Sequence, residues 1–415
     1  MRTTRLAAAV AVLALTATAC STKAGPADAT VGTDGVRTGP GVTGSTITLA
    51  ALTDLTGPYA SLGKSIVNAQ QLWADQTNAA GGICGRKVRI VVKDHGYDVQ
   101  KAVAAFTELQ PDTAVLTQVV GSPVVAAIRQ ELNDRHLLAL PMAWPSTMLG
   151  QPYIQVVGST YDVDMITGVD YLTRTAGLVP GDRIGHVYFE GEYGENALAG
   201  SKYAAAQGKL TLVEQRIKPT DQDLTAQVSA LRQAGVKAVL ISAGPKQTAA
   251  LVGAAAGQGL AVPVLSSAPG FAPQLLDTAV GPALERQLAV VSAIPPVSAE
   301  LPAMRVLVQE YQAKYPGAPV DSGVASGWSA IQVAAEALTA ACAAKDLTRE
   351  GIAAAHHRTA ALNILGVPMA FSDLAEAPTR QAYILRPAKG ATGGLAVAEP
   401  AHRAPAAAGY AYPKG

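Results

Sequence analysis

An α/β protein built as two doubly wound parallel-sheet lobes is what this sequence predicts, on three observations. Short β-branched runs alternate with Ala-rich helical runs through most of the 415 residues, the pattern of parallel strands with helices on both faces. The alternation breaks near Tyr153–Asp164 and again near Ile294–Ser298 (IPPVS). Between the low-complexity ends lie roughly 340 residues, more than one hydrophobic core usually organises.

The elements follow in order. Thr46–Leu52 reads as a strand, and Leu62–Asn78 as a helix with Ile66, Leu72 and Trp73 on its apolar side. Strand Val88–Lys93, helix Val99–Leu109, strand Ala114–Val119, helix Val124–Asp134 and strand Leu137–Leu140 complete one block. The second block runs Met165–Thr175 (helix), Arg183–Phe189 (strand), Tyr193–Gln207 (helix) and Leu210–Arg216 (strand). Leu224–Ala234 (helix), Ala238–Ser242 (strand), Gln247–Gln258 (helix) and Val262–Ser266 (strand) follow. A further helical segment, Pro302–Lys345, and a short strand around Tyr383–Leu385 come after the second break. A chain that builds one lobe, crosses to a second and crosses back has this layout. In such sheets ligands collect at the carboxyl ends of the strands, so two facing lobes line a cleft.

The ends carry addresses rather than fold. Arg2 and Arg5 precede the apolar run Leu6–Leu15, too short to span a bilayer, and Ala17-Thr18-Ala19-Cys20 closes it; this is an export signal. The small residues before Cys20 resemble a bacterial lipobox, which implies lipidation at Cys20 and residence on the outer face of the cell membrane; an ordinary cleaved signal is the alternative. Residues 1–20 are thus expected to be a lipoprotein signal peptide, 21–44 a flexible tether and 388–415 a disordered tail. Residues 45–160 with 297–345 form the first expected lobe, and 161–296 with 346–387 the second. With Cys20 lipidated, Cys84 and Cys342 remain as an even pair in an oxidising compartment; a disulfide is expected, two separate buried thiols being the alternative.

Several function classes are excluded or disfavoured. A net charge of +1 with 15% charged residues gives no electrostatic footprint for nucleic acid. The six histidines (His95, His136, His186, His356, His357, His402) lack H-E-x-x-H spacing, and no G-x-S-x-G elbow occurs. His356-His357 reads as a solvated pair on a charged helix after a Thr348 cap. The run from Gly57 to Ser65 falls short of a P-loop, since five residues separate Gly57 from Gly63 and Pro58 follows the first glycine. The expectation is a non-enzyme with no cofactor and no metal.

LTDLTGPYASLGKSIVNAQQL at Leu52–Leu72 and NAAGGICGRKVRIVVKD at Asn78–Asp94 carry a family resemblance. VVGSPVVAAI (Val119–Ile128), YFEGEYGENAL (Tyr188–Leu198) and the D-x-x-x-Q-V-x-x-L-R-Q-A-G run at Asp223–Gly235 add to it. Together they resemble the leucine/isoleucine/valine-binding type of substrate-binding protein, the extracytoplasmic receptors of ABC transporters, over about residues 45–385. The resemblance implies the type 1 periplasmic-binding fold: two lobes, a three-strand hinge, and closure over a small polar ligand such as an amino acid, amide or small carboxylate. It also implies a monomer delivering that ligand to permease subunits; a sensor of the same fold, signalling to a membrane partner, is the alternative.

Candidate ligand residues follow from strand-end loops and from the resemblance. Tyr59 and Leu62 sit on the first strand-to-helix turn. Gly121 and Ser122 stand where the family presents a hydroxyl and backbone N–H groups to a carboxylate; a cap serving only its own helix is the plainer role. Met142, Ala143 and Trp144 follow the fourth strand, with Trp144 in or near the place of a family Thr. Tyr161 and Asp162 open the second lobe, where Asp162 or Asp164 is either a partner for a ligand ammonium or a helix cap. Tyr193 matches an aromatic that covers the ligand. Gly244 and Pro269 replace an aromatic and an acidic residue of the amino-acid binders. An ammonium buried without a carboxylate is costly, so a neutral amide or an aliphatic or aromatic carboxylate suits Trp144 and Pro269 as well as an amino acid does.

Overall fold

The computed structural model describes residues 29–413. Cys20 and the export signal lie outside the described residues. Lobe one is built on three parallel strands, β1 (Thr46–Thr53), β2 (Lys87–Asp94) and β3 (Val115–Val119), with β1 central. Central position buries β1 on both faces, which is why it reads as an apolar run and not as an alternation. The expected fourth strand forms no named strand, yet Leu138–Met142 runs beside β3: Leu116 N donates to Leu138 O at 2.9 Å and Met142 N to Val119 O at 2.9 Å. Helices α1 (Ala60–Ala79), α2 (Val99–Leu109) and α3 (Ser122–Asp134) cover this sheet.

Lobe two opens with α4 (Tyr161–Ala176). Its parallel strands are β4 (Arg183–Phe189), β5 (Thr211–Ile217), β6 (Ala238–Ser242), β7 (Val264–Ser267) and β8 (Leu288–Ser292). Helices α5 (Glu192–Gln207), α6 (Thr225–Gln233), α7 (Pro245–Gly257) and α8 (Gly281–Gln287) connect them. The chain then returns to lobe one as α9 (Pro302–Lys314) and α10 (Ser322–Ala343). Small residues let α10 lie directly on α1: a Cβ at Gly327 would sit 2.7 Å from Ile66 O, and one at Gly323 would sit 2.8 Å from Leu62 O. The backbone crosses between lobes three times, near residues 155–160, 292–301 and 371–382.

Cys84 and Cys342 are joined by a disulfide with Cα atoms 5.9 Å apart, tying the turn before β2 to the end of α10. The five parallel strands of lobe two therefore lie inside the loop that this bond closes.

Four expectations need correction. The tail 388–415 is not disordered over its described part: β9 (Ala382–Pro387) and β10 (Leu395–His402) extend the lobe-two sheet antiparallel, giving the order β10–β9–β8–β7–β6–β4–β5. Leu395, Ala404, Ala407 and Tyr410 supply the buried contacts that an Ala/Pro-rich composition conceals. The tether 21–44 is likewise structured from Thr30, because Thr30–Val31 and Arg37–Thr38 form a small sheet with Asp346–Leu347, held by an Arg37–Asp346 ion pair of 3.0 Å. Residues 346–371 pack on lobe one, not lobe two. Within them α11 (Arg349–His357) starts on the expected Thr348 cap, and Arg349 Nε donates to Thr113 O at 3.0 Å. Finally, His356 is buried and meets Gln155 at 2.9 Å, while His357 is half-buried with its Nε2 2.8 Å from Pro152 O. Each error concerns a partner far away in sequence, which local composition does not encode.

Among the described residues no helix is long and apolar enough to cross a membrane.

Candidate functional site

The strand-end loops of the two lobes face one another around a cavity with about 580 Å³ of unfilled space, including its mouth. Lobe one supplies most of the wall. After β1, Asp54 accepts backbone hydrogen bonds from Thr56 N (3.2 Å) and Tyr59 N (2.9 Å), forming the turn that sets the Tyr59 ring at the head of α1. Beyond β2, Tyr97 adopts the left-handed region at φ 64° and lays its ring against Gly121. Gly121 itself has φ 103°, and a Cβ there would fall 2.7 Å from Tyr97 Cε2. Only glycine fits this position.

Gly121 is the N-cap of α3, and Ser122 is its first residue rather than its cap. The Ser122 hydroxyl therefore does not serve its own helix. It is buried and makes no hydrogen bond of good geometry, although it lies near enough to Tyr161 to ease that phenol's titration. A free hydroxyl beside a helix amino end is suited to an anionic oxygen. Met142 and Trp144 extend the same wall, and the indole Nε1 of Trp144 is also buried without a partner.

Lobe two closes the opposite side with rings. Tyr161 and Tyr193 lie 4.5 Å apart between centroids, and Trp144 meets Tyr161 edge-on at 5.9 Å. The Tyr193 hydroxyl is spent within its own lobe, 2.5 Å from Ser267 Oγ and 3.4 Å from Ala243 O. Pro269 and Ala268 complete the wall on the turn after β7. Burial pushes the phenols of Tyr59, Tyr97, Tyr161 and Tyr193 above their ordinary range, so they remain neutral donors. Among the described residues, none lining this cavity carries a charge.

Of the candidate ligand residues, Tyr59, Leu62, Gly121, Ser122, Met142, Trp144, Tyr161, Tyr193 and Pro269 line this cavity. Three do not. Ala143 is packed in the far core of lobe one with Phe106 and Val119. Gly244 stands behind the wall, where a Cβ would be 3.8 Å from Tyr59 Cε1. Asp162 turns away from the cavity altogether. Its carboxylate accepts from Ser146 Oγ (2.5 Å), Thr160 Oγ1 (2.5 Å), Tyr410 OH (3.0 Å) and Asn196 Nδ2 (3.2 Å). With those bonds made, it has no free capacity for a ligand ammonium. Nor does it cap α4, whose N-cap is Thr160 with no side-chain bond.

Sequence reasoning missed Tyr97 and the residues Ser322, Gly323 and Ser326 at the head of α10. A signal for Tyr97 exists, since H-G-Y-D directly follows a strand and its Asp98 caps α2. Asp321-Ser322-Gly323 reads as a helix cap, and Asp321 does accept from Gly323 N at 3.0 Å. Nothing local, however, says that this helix end reaches the cleft. Burial pushes the Asp321 carboxyl up to about 7.

A family profile described as periplasmic binding protein matches residues 46–392, nearly the whole two-lobed body. The chain belongs to the periplasmic binding protein family. Its fold is the type 1 periplasmic-binding fold, of the kind shared by Leu/Ile/Val-binding proteins. A fatty acid ABC transporter substrate-binding protein from Thermomonospora curvata is 47% identical with a TM-score of 0.91, covering 93% of this chain and 99% of that one. A branched chain amino acid ABC transporter protein from Thermus thermophilus, with bound valine, shares the fold at 19% identity and a TM-score of 0.74, covering 88% and 97%. The Leu/Ile/Val-binding protein homolog 3 of Brucella melitensis is 24% identical over 198 residues, which is 46% of this chain and 53% of that relative. The chain thus aligns with about half the length of its curated relatives.

Proposed function

We propose that this periplasmic binding protein is an extracytoplasmic solute receptor that encloses a small apolar carboxylate between its lobes. The carboxylate would sit at Ser122 and the amino end of α3, with its body against the rings of Tyr59, Trp144, Tyr161 and Tyr193. The observation that carries this reading is an aromatic cavity without charge whose one wall holds a free buried hydroxyl at a helix amino end. Pro269 lines the cavity where the family resemblance implies an ammonium partner, and Asp162 is committed elsewhere. Similarity to a fatty-acid substrate-binding protein at 47% identity supports the same class. Delivery to an ABC permease and tethering through lipidated Cys20 complete the proposal, and the lobes close on the ligand by a hinge motion.

Thermal melting of the mature protein against decanoate, benzoate and leucine tests it, because a ligand that binds only the folded state raises the melting temperature. Decanoate or benzoate should raise it and leucine should not. Stabilisation by leucine alone would overturn the carboxylate assignment. For the anchor, replacing Cys20 with Ser should release the protein from the membrane fraction into the medium; retention there would refute lipidation.

A further inference from the structure

The cavity does not end at Trp144. Beside the indole it continues as a narrow recess, with room for little more than a water-sized group, that shares Trp144, Tyr161 and Pro269 and adds Ser159, Asp164 and Ser292. Two buried polar atoms among its lining residues have no hydrogen-bond partner: Trp144 Nε1, a donor, and Asp164 Oδ1. Asp164 is only 7% exposed. Buried polar groups left unsatisfied are costly, so their presence on one recess calls for an occupant. An indole N–H and a carboxyl oxygen on the lining of one recess are together complementary to a group that both accepts and donates. Burial pushes the Asp164 carboxyl up to about 7, so near neutrality it can act in either role.

We propose that the recess beside Trp144 is a second recognition subsite, in which Trp144 and Asp164 bind a hydroxyl at the far end of the ligand. Resting on the carboxylate reading above, this makes the cargo a hydroxy acid: carboxylate at Ser122, apolar body across the tyrosines, hydroxyl at Asp164. A plain alkyl tail would leave Trp144 Nε1 and Asp164 Oδ1 without a partner.

Calorimetric titration of the mature chain with decanoate, ω-hydroxydecanoate and decanediol separates these outcomes. The wild-type protein should bind the hydroxy acid roughly tenfold more tightly than decanoate, the equivalent of one good hydrogen bond. Asp164→Leu should erase that preference, whereas Asp164→Asn, which keeps an acceptor of the same shape, should retain most of it. Circular dichroism and melting of both variants verify that they fold. Equal or tighter binding of decanoate would overturn the subsite while leaving the carboxylate reading intact, and would indicate a recess filled by water or entered by the tail. Asp164-dependent binding of the diol without binding of either acid would support the subsite and overturn the carboxylate end. Failure of all three probes would overturn both.

Discussion

The two lobes meet at one cavity but equip it differently. Lobe one brings a helix amino end and a free buried hydroxyl at Ser122, held on a turn that admits only glycine at its apex. Lobe two brings rings whose polar groups are largely satisfied at home, as the Tyr193 hydroxyl is by Ser267. Their construction differs in parallel. Lobe one has a three-stranded sheet stapled at Cys84–Cys342, while lobe two has seven strands, two of them antiparallel additions from the chain's end. On the proposed carboxylate reading the contrast teaches a division of labour: lobe one would read the ligand's charged end, and lobe two would cover its body. On the same reading the disulfide braces the lobe that would hold the anion, and an anion site tolerates little displacement of its donors.

The sharpest way to break this contrast is Gly121→Val. At φ 103°, with the Tyr97 ring 2.7 Å from the new Cβ, the α3 amino end must shift, and carboxylate affinity should fall at least about 100-fold. Calorimetry that finds near wild-type affinity would move recognition out of lobe one. Next in size is the staple. Replacing Cys84 and Cys342 with Ala should destabilise the protein by about 2–5 kcal/mol, seen as a lower melting temperature that reductant no longer changes; equal melting with and without reductant in the wild type would deny the bond its role.

Asp321→Asn tests the electrostatics of the lobe-one wall. Its carboxyl is raised from 3.8 to about 7 by burial, so the folded state holds a proton that the unfolded state has released. That contribution is complete below about pH 4 and lost as pH rises through about 7. Asparagine keeps the cap to Gly323 and never ionises. The variant should therefore gain stability over the wild type as pH rises, by a few kcal/mol at about pH 8, in paired denaturation curves. A constant difference across pH would show that Asp321 does not titrate between the two states. The smallest effect belongs to lobe two: Tyr410→Phe removes the 3.0 Å bond to Asp162 and should cost about 1–2 kcal/mol in urea denaturation. No change there would mean that the C-terminal segment is not fastened through this network.

Much of the architecture was legible beforehand because strand–helix rhythm is a property of neighbours in the chain. The two breaks in that rhythm fall between segments of different sheets, and Tyr59 and Ser122, on the turns after β1 and β3, line the cavity. Trp144, Tyr193 and Pro269, which also line it, were visible through the family resemblance at strand-end loops. Asp162 was not, because its worth as a ligand partner depends on Asn196 and Tyr410, which lie 34 and 248 positions away. The same reason hid Tyr97, the head of α10, the final strand and the seating of α11 on lobe one. Local torsional preferences and apolar spacing settled which segments are strands, which are helices and where loops must turn. Which buried polar groups spend their hydrogen bonds on each other, and which are left facing a cavity, was settled only when distant segments packed, since desolvation and partnering exist only in the folded body.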